Sequence, residues 1–398
     1  MGPLPGRDAL PVLLGLAANA AGQSFLLVVL PPLGRRLGFS DMETGAILSV
    51  SALLLIVFAP IYISERIGRR KVMLIALSGA SLGPAAFSVI VGARISETIS
   101  AAVALMLLFL SRSVQVITSA GLLPATQAYV ADLTAPARRA GGMGLIGAAF
   151  GGGVVLGATL AWTFGGKDAI FVFELIAALV AASFAGVFLL VSEPVRREAM
   201  VSGGRLHSPL VRIWPFLAIT LLGVTAYGIL QQVTALRLQD ALGFSFQDSI
   251  ASAGAALMAT ALAMVVVQGF ALRVLAWTPE RLLNVGAVTA ALAMMGAALA
   301  QTYAEIFGAL VIFGAAIGLM LPGNLAALSL RVGADAQGKA AGINVIGQGM
   351  GQALGPVLGA TLHQLSPLAP FFATTILMIA AVVLTVDVSR GRFAASSP

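Results

Sequence analysis

A chain of 398 residues that is 59% hydrophobic and 10% charged, with a mean hydropathy of +0.99, is excluded from the water-soluble class, where about a quarter of residues carry charge. With no cysteine and two histidines, His207 and His363, disulfides, thiolate metal sites and a Cys nucleophile are excluded, so neither a metal nor a cofactor is expected. The formal charge of +7 lies in short segments between apolar runs, which reads as membrane topology and not as a nucleic-acid footprint.

A bilayer core of about 30 Å is crossed by about 20 apolar helical residues. Twelve runs meet that length: 9–31, 45–63, 72–93, 100–130, 140–163 and 169–191, then 211–236, 249–272, 282–301, 305–330, 340–364 and 368–388. The fold expected is therefore an all-α membrane protein of twelve transmembrane helices in two pseudo-symmetric six-helix bundles. Its bundles are 1–192 and 210–398, joined by a cytoplasmic linker at 193–209, the longest polar interruption. The first run imitates a cleavable signal peptide, with Arg7, an apolar stretch and Ala18-Asn19-Ala20. It is expected to stay, because its exit, Leu37-Gly38-Phe39-Ser40, has a counterpart in Leu242-Gly243-Phe244-Ser245 after the seventh run.

That echo lies 205 positions on, and a second one, Val155 to Leu160 repeated as Val357 to Leu362, lies 202 positions on. Two echoes in register, at equivalent places of a twelve-run count, argue for a duplicated six-helix unit. With both termini in the cytoplasm, 17 of the 23 Lys and Arg fall in cytoplasmic segments. Five (Arg35, Arg36, Arg94, Lys167 and Arg237) fall in outer loops, and Arg112 lies within a run. This asymmetry sets the orientation expected in a cytoplasmic (inner) membrane.

Between the second and third runs stands Ile63-Ser64-Glu65-Arg66-Ile67-Gly68-Arg69-Arg70-Lys71. Here the chain resembles the major facilitator superfamily, whose loop at this place has an acid, a base, a spacer, Gly and two bases. The match runs through Glu65, Arg66, Gly68, Arg69 and Arg70; it departs in Glu for Asp and in Ile61 where the family opens with Gly. The resemblance covers essentially the whole chain. A carboxylate at Glu65 would be drawn to the free N–H groups at the start of span eleven, latching the halves on the inside. The alternative is that the bases only enforce topology at the lipid headgroups.

Span four carries Arg112 and Gln115, resembling the family's Arg followed three residues later by Gln, with Val116 in place of the Gly that follows. Arg112 is about 13 residues from the outer end, roughly 20 Å deep, where an unpaired cation facing lipid is costly. It either bonds carbonyls of neighbouring helices or serves proton coupling or anion binding. Span five, with Gly147, Gly151, Gly153 and Gly157, looks like a degenerate copy of the Gly-rich motif of the family's antiporter branches. The proline absent there stands in span eleven as Pro356, among Gly347, Gly351, Gly355 and Gly359 at strict fours. Such a bare stripe permits close helix approach, and packing alone also explains it.

Acids within the runs are scarce, and Glu174 in span six is the proton-coupling candidate beside Arg112, though a boundary residue reaching for the interface would look the same. The family resemblance implies a central cavity lined by spans one, four, seven and ten. On that geometry Asn19, Gln23, Arg112, Gln115, Gln231, Gln232 and Asn324 are the expected substrate contacts. No Ser, His and acid constellation, phosphate-cradling loop or metal cluster appears, so no catalytic residue and no enzyme is expected. The expected function is secondary transport by alternating access, namely proton-coupled efflux of a small amphipathic organic compound by a monomer in a lipid bilayer. The alternative is uptake or exchange of an organic anion held by Arg112.

Overall fold

The computed structural model of the chain describes residues 9–62, 68–134, 139–193, 210–332 and 337–389. Among the described residues there is no strand; the backbone is helix after helix. In the order of the first half these are α1 (Ala9–Leu37), α2 (Asp41–Tyr62), α3 (Arg69–Ile95), α4 (Ala101–Ser119), α5 (Leu122–Leu133), α6 (Arg139–Leu160) and α7 (Ala169–Leu190). The second half has α8 (Leu210–Asp240), α9 (Phe246–Val266), the one-turn α10 (Leu272–Leu275), α11 (Pro279–Leu299), α12 (Tyr303–Arg331), α13 (Gln337–Leu365) and α14 (Ala369–Ser389). Wider π-helical turns extend α6 through Ala161–Gly165 and join α9 to α10 through Val267–Ala271.

Eleven segments are long and apolar enough to cross a membrane, α4 with α5 counting as one. The twelfth is α13, of the same 29-residue length as α12 but carrying Asn344, Gln348, Gln352 and His363. The chain is thus the expected all-α membrane protein of two six-helix bundles. Span four is not one continuous helix as expected. It turns at Ala120–Gly121, and Pro124, three residues into α5, fits the first turn of a new helix, where a missing N–H costs little. Nor does span one stop at 31: α1 carries Pro31 and Pro32 inside it and runs on to Leu37. The carbonyls freed by those prolines are tolerated in a helix enclosed by others.

The tetrapeptide echo has a local physical cause. At the end of α1, Gly38 takes φ +91, and at the end of α8, Gly243 takes φ +68, left-handed conformations that glycine adopts without strain. Phe39 N–H then returns to Gly34 O at 2.8 Å, and Phe244 N–H to Leu238 O at 3.0 Å. The serine that follows opens the next helix. Ser40 Oγ accepts from Glu43 N–H at 3.2 Å, and Ser245 Oγ from Asp248 N–H at 3.1 Å. Leu-Gly-Phe-Ser therefore encodes a helix stop and a helix start.

The contacts divide the chain into two compact units, Met1–Ala199 with Ser245–Ala255, and Met200–Phe244 with Ala256–Pro398. In the first unit α1 lies along α6 and α7, and α3 lies along α7 and α4. A Cβ added at Gly153 or Gly157 would strike the carbonyl of Ala17 or Ala21, so these two glycines set how closely α6 approaches α1. Ser24 Oγ donates across the same seam to Val154 O at 2.8 Å. In the second unit α8 lies along α13, and α11 along α12 and α14. The seam between α8 and α13 repeats the device one copy on: a Cβ at Gly355 would stand 2.7 Å from the Cα of Gly228, and one at Gly351 2.9 Å from Leu221 O. Gly153 and Gly355 are 202 positions apart, the offset of the second sequence echo.

Candidate functional site

The expected latch residues Glu65 and Arg66 lie outside the described residues. Gly68, Arg69 and Arg70 are described, at the start of α3. Gly68 takes φ +89 there, and the carboxylate that meets this helix start is Glu193, just past α7. Its two oxygens accept from the backbone N–H of Arg69 at 2.6 Å and of Arg70 at 3.1 Å, supplying anionic caps for a helix with no acid in its first turn. Arg69 pairs with Asp132 of α5, and Arg70 lies over the Phe188 ring and donates to Phe188 O at 2.7 Å. The sequence signal for Glu193 is an acid placed directly after an apolar run, which the reading of span six passed over.

Arg112 and Gln115 are both buried in the first unit, and they face one another at one helical turn's spacing. Arg112 Nη1 donates to Gln115 Oε1 at 2.9 Å, while the buried Nε of Arg112 has no partner. Among the described residues no carboxylate is paired with it. The described acids of the first unit are engaged or exposed: Asp41 pairs with Arg35 and Asp132 with Arg69; Asp168, Glu43, Glu193 and Asp248 stand at helix starts; and Glu97 and Glu174 are exposed. The two side chains border a pocket of about 210 Å³ of empty space, its open mouth included, walled by Gly22 and Leu26 of α1, Pro84 and Phe87 of α3 and Phe173 of α7. Phe173 is held edge-on to Phe25 at 5.2 Å and tilted against Phe87 at 5.6 Å, so the aromatic wall is fixed by its own packing.

Gly83 makes the polar side of this pocket possible. A Cβ there would run into the Gln115 amide, so an α3 with any side chain at 83 would push Gln115 off Arg112. None of Gly22, Leu26, Gly83, Pro84, Phe87 and Phe173 was expected from sequence; the Gly83-Pro84 pair inside an apolar run was the available signal. Of the other expected contacts in this unit, Asn19 is buried with its Oδ1 unpartnered, and Gln23 is half-buried. Glu174 is exposed, on the flank of α7 next to Phe173 and turned from the pocket that Phe173 lines.

In the second unit Asn324 is fully buried, and its amide donates to Phe216 O at 2.7 Å and to Thr220 Oγ1 at 2.9 Å. Thr220 in turn donates to Asn344 Oδ1 at 2.7 Å, so α8, α12 and α13 share one polar joint. Gln232 is fully buried with its Cβ against Gly359, and Gln231 is half-buried. Arg237, expected in an outer loop, is instead a fully buried residue of the last turn of α8. It donates to Ala297 O at 2.5 Å and Ala300 O at 2.8 Å and stacks on Phe371 at 4.3 Å, supplying donors to carbonyls at the end of α11. Pro356 follows Gly355 in α13, and a Cβ at Gly347 would meet nothing closer than 3.5 Å, whereas one at Gly147 would meet nothing within 4 Å. Gly151 is half-buried in α6.

A family model described as Major Facilitator Superfamily matches residues 12–338 and 277–393. The Multidrug resistance protein 2 of Bacillus subtilis (strain 168) is 24% identical over 376 residues, covering 92% of this chain and 90% of that protein. The class G tetracycline resistance protein of Vibrio anguillarum is 31% identical over 220 residues, 54% of this chain and about half (51%) of that protein's length. Among solved structures, a bacterial homologue of the human lysosomal transporter Spinster, inward-facing and unoccupied, superposes with a TM-score of 0.75 at 16% identity over all of both chains. The human organic anion transporter TETRAN superposes with a TM-score of 0.69 at 20% identity, covering 96% of this chain and 100% of that one.

Proposed function

The chain belongs to the major facilitator superfamily and is a membrane transporter rather than an enzyme, and from that premise we propose that it exports a small amphipathic organic compound by alternating access, driven by protons moving inward. The observation that carries the reading is the Arg112–Gln115 pocket: a buried guanidinium with a free Nε, walled by leucine, proline and two phenylalanines. A cation in an apolar interior is costly. One that holds a single neutral partner and borders a pocket is poised for a ligand or a proton-linked event, in contrast to Arg237, whose two terminal nitrogens and ring neighbour are all engaged. Relatives named as multidrug and tetracycline resistance proteins favour export and amphipathic cargo.

In this proposal the bundles are 1–192 and 210–398 with the linker 193–209 between them. Both termini are cytoplasmic, the membrane is the inner one, and the protein works as a monomer. Asn19, Gln23, Gln231 and Gln232 supply further amide contacts, and Arg112 and Glu174 are the proton-coupling residues, Glu174 acting from its exposed place on α7 outside the Arg112 pocket. The test is a susceptibility and accumulation panel in an efflux-deficient host, comparing wild type with Arg112→Ala. Lower accumulation with wild type, lost in the variant, is expected; unchanged compound levels in both reject export of those compounds. The second reading, uptake or exchange of an organic anion, draws on the same unpaired guanidinium. Counterflow of labelled substrate in proteoliposomes separates the two, since only the first depends on a proton gradient.

A further inference from the structure

We propose that the Arg112–Gln115 pocket is a subsite for a single carboxylate, so that the cargo of this transporter is an amphipathic monocarboxylate whose acid group docks there. The inference rests on the transport reading and goes further by naming the chemistry recognised. Three observations carry it.

Charge comes first. Arg112 brings one full positive charge into a pocket whose other walls are glycine, leucine, proline and phenylalanine, and among the described residues no carboxylate is paired with it. One monoanion neutralises that charge. A dianion such as a phosphate monoester would replace a buried positive charge with a buried negative one, at a similar desolvation cost.

Geometry comes second. Gln115 accepts from Nη1, and the Nε of the guanidinium is buried and unpartnered. The planar fork of an arginine matches the two oxygens of a carboxylate, and such paired charge-assisted bonds are the strong ones. Gln115, held in place by the vacancy at Gly83, fixes the plane of the guanidinium and keeps an amide N–H₂ beside it.

Size comes third. The 210 Å³ counts open space at the mouth, so the enclosed part is far smaller than a site that takes in a whole drug-sized ligand. The pocket therefore takes no more than a small end group, and the Phe87 and Phe173 rings present an apolar wall beside it.

The experiment uses the purified full chain in detergent micelles and measures ligand-induced thermal stabilisation with three matched probes: 2-naphthoate, its neutral amide 2-naphthamide, and 2-naphthyl phosphate. Wild type is expected to prefer the carboxylate over both others by about ten- to hundredfold in apparent affinity, the range for hydrogen bonds to a charged group. Arg112→Gln is expected to abolish the preference. Gly83→Ala, which displaces Gln115 and leaves the arginine in place, is expected to reduce it.

Equal stabilisation by acid and amide in wild type overturns the proposal, as does a carboxylate preference that survives Arg112→Gln. Because the wild-type ratio is decisive by itself, poor folding of a variant leaves the test intact. Absence of cellular export with an intact carboxylate preference would sink the efflux reading alone, and export without the preference would sink the subsite alone.

Discussion

Alanine substitutions along the glycine stripes separate packing from every other role, because the same methyl is added each time and only its surroundings change. At Gly355 the new Cβ would lie 2.7 and 2.9 Å from the Cα and C of Gly228 and 3.0 Å from Thr225 O. All three are backbone atoms, which no rotamer change can move aside, so α8 and α13 must part. Overpacking of this kind costs about 1–3 kcal/mol. At Gly347 the nearest atom to the added Cβ is Leu217 O at 3.5 Å, an ordinary van der Waals contact, and at Gly147 there is none within 4 Å.

Any gain in helix propensity from Gly to Ala, up to about 1 kcal/mol, is common to all three positions and cancels when they are compared. Gly355→Ala should therefore fall about 1–3 kcal/mol below both Gly347→Ala and Gly147→Ala, which should match or slightly exceed wild type. The assay is heat treatment of the detergent-solubilised chain followed by size exclusion, scored as the temperature at which half of the monodisperse peak is lost. Equal midpoints for Gly355→Ala and Gly347→Ala would refute the claim that the α8–α13 seam is set by backbone contact.

Two further sites probe the ends of helices. Gly68→Ala forces a side chain into φ +89 and brings its Cβ within 3.2 Å of the Glu193 carboxylate, for a cost of about 1–2 kcal/mol from the backbone alone. Glu193→Gln loses the charge and one of the two acceptors facing the start of α3, an exposed helix end, so it should lower the same thermal midpoint by less, and the ranking fails if the order is reversed. Arg237→Met strands the carbonyl of Ala300 and leaves Ala297 O with only the 3.4 Å bond from Ala300 N–H, at about 1–3 kcal/mol for the group left unsatisfied. The expected result is a marked loss of thermal stability with the carboxylate preference at Arg112 unchanged, and a change in that preference would contradict a purely structural role.

The fold was legible because its determinants are local in sequence. Apolar runs of membrane-spanning length give the helices, and Leu-Gly-Phe-Ser marks a helix end and the next helix start in both copies. One boundary differs: the first apolar run ends at 31, yet α1 carries Pro31 and Pro32 and continues to Leu37. The site was less legible, because a pocket is made by residues far apart in the chain. Arg112 and Gln115 stood out as polar residues in an apolar run, while Phe87 and Phe173 looked like any other core side chain until the packing of α3 and α7 brought them together. Arg237 was misplaced for a related reason: a cation near a span end looks the same in sequence whether it faces water or caps a neighbouring helix.

The two buried arginines show how partners, and not burial, separate roles. Arg237 is as enclosed as any side chain in its unit; its two terminal nitrogens are bonded to carbonyls and its plane lies on Phe371, although its Nε, like that of Arg112, is buried without a partner. Arg112 is almost as enclosed, holds one neutral amide, and borders a pocket. The duplicated frame does not account for this difference. Moved by 202 or 205 positions, Arg112 falls on Gly314 or Ile317, and Gln115 on Ile317 or Met320, all apolar. What the duplication supplies is a pair of glycine-seamed bundles, and what the first copy adds is a single uncompensated charge, which is why selectivity is expected to follow Arg112 while stability follows Gly355 and Arg237.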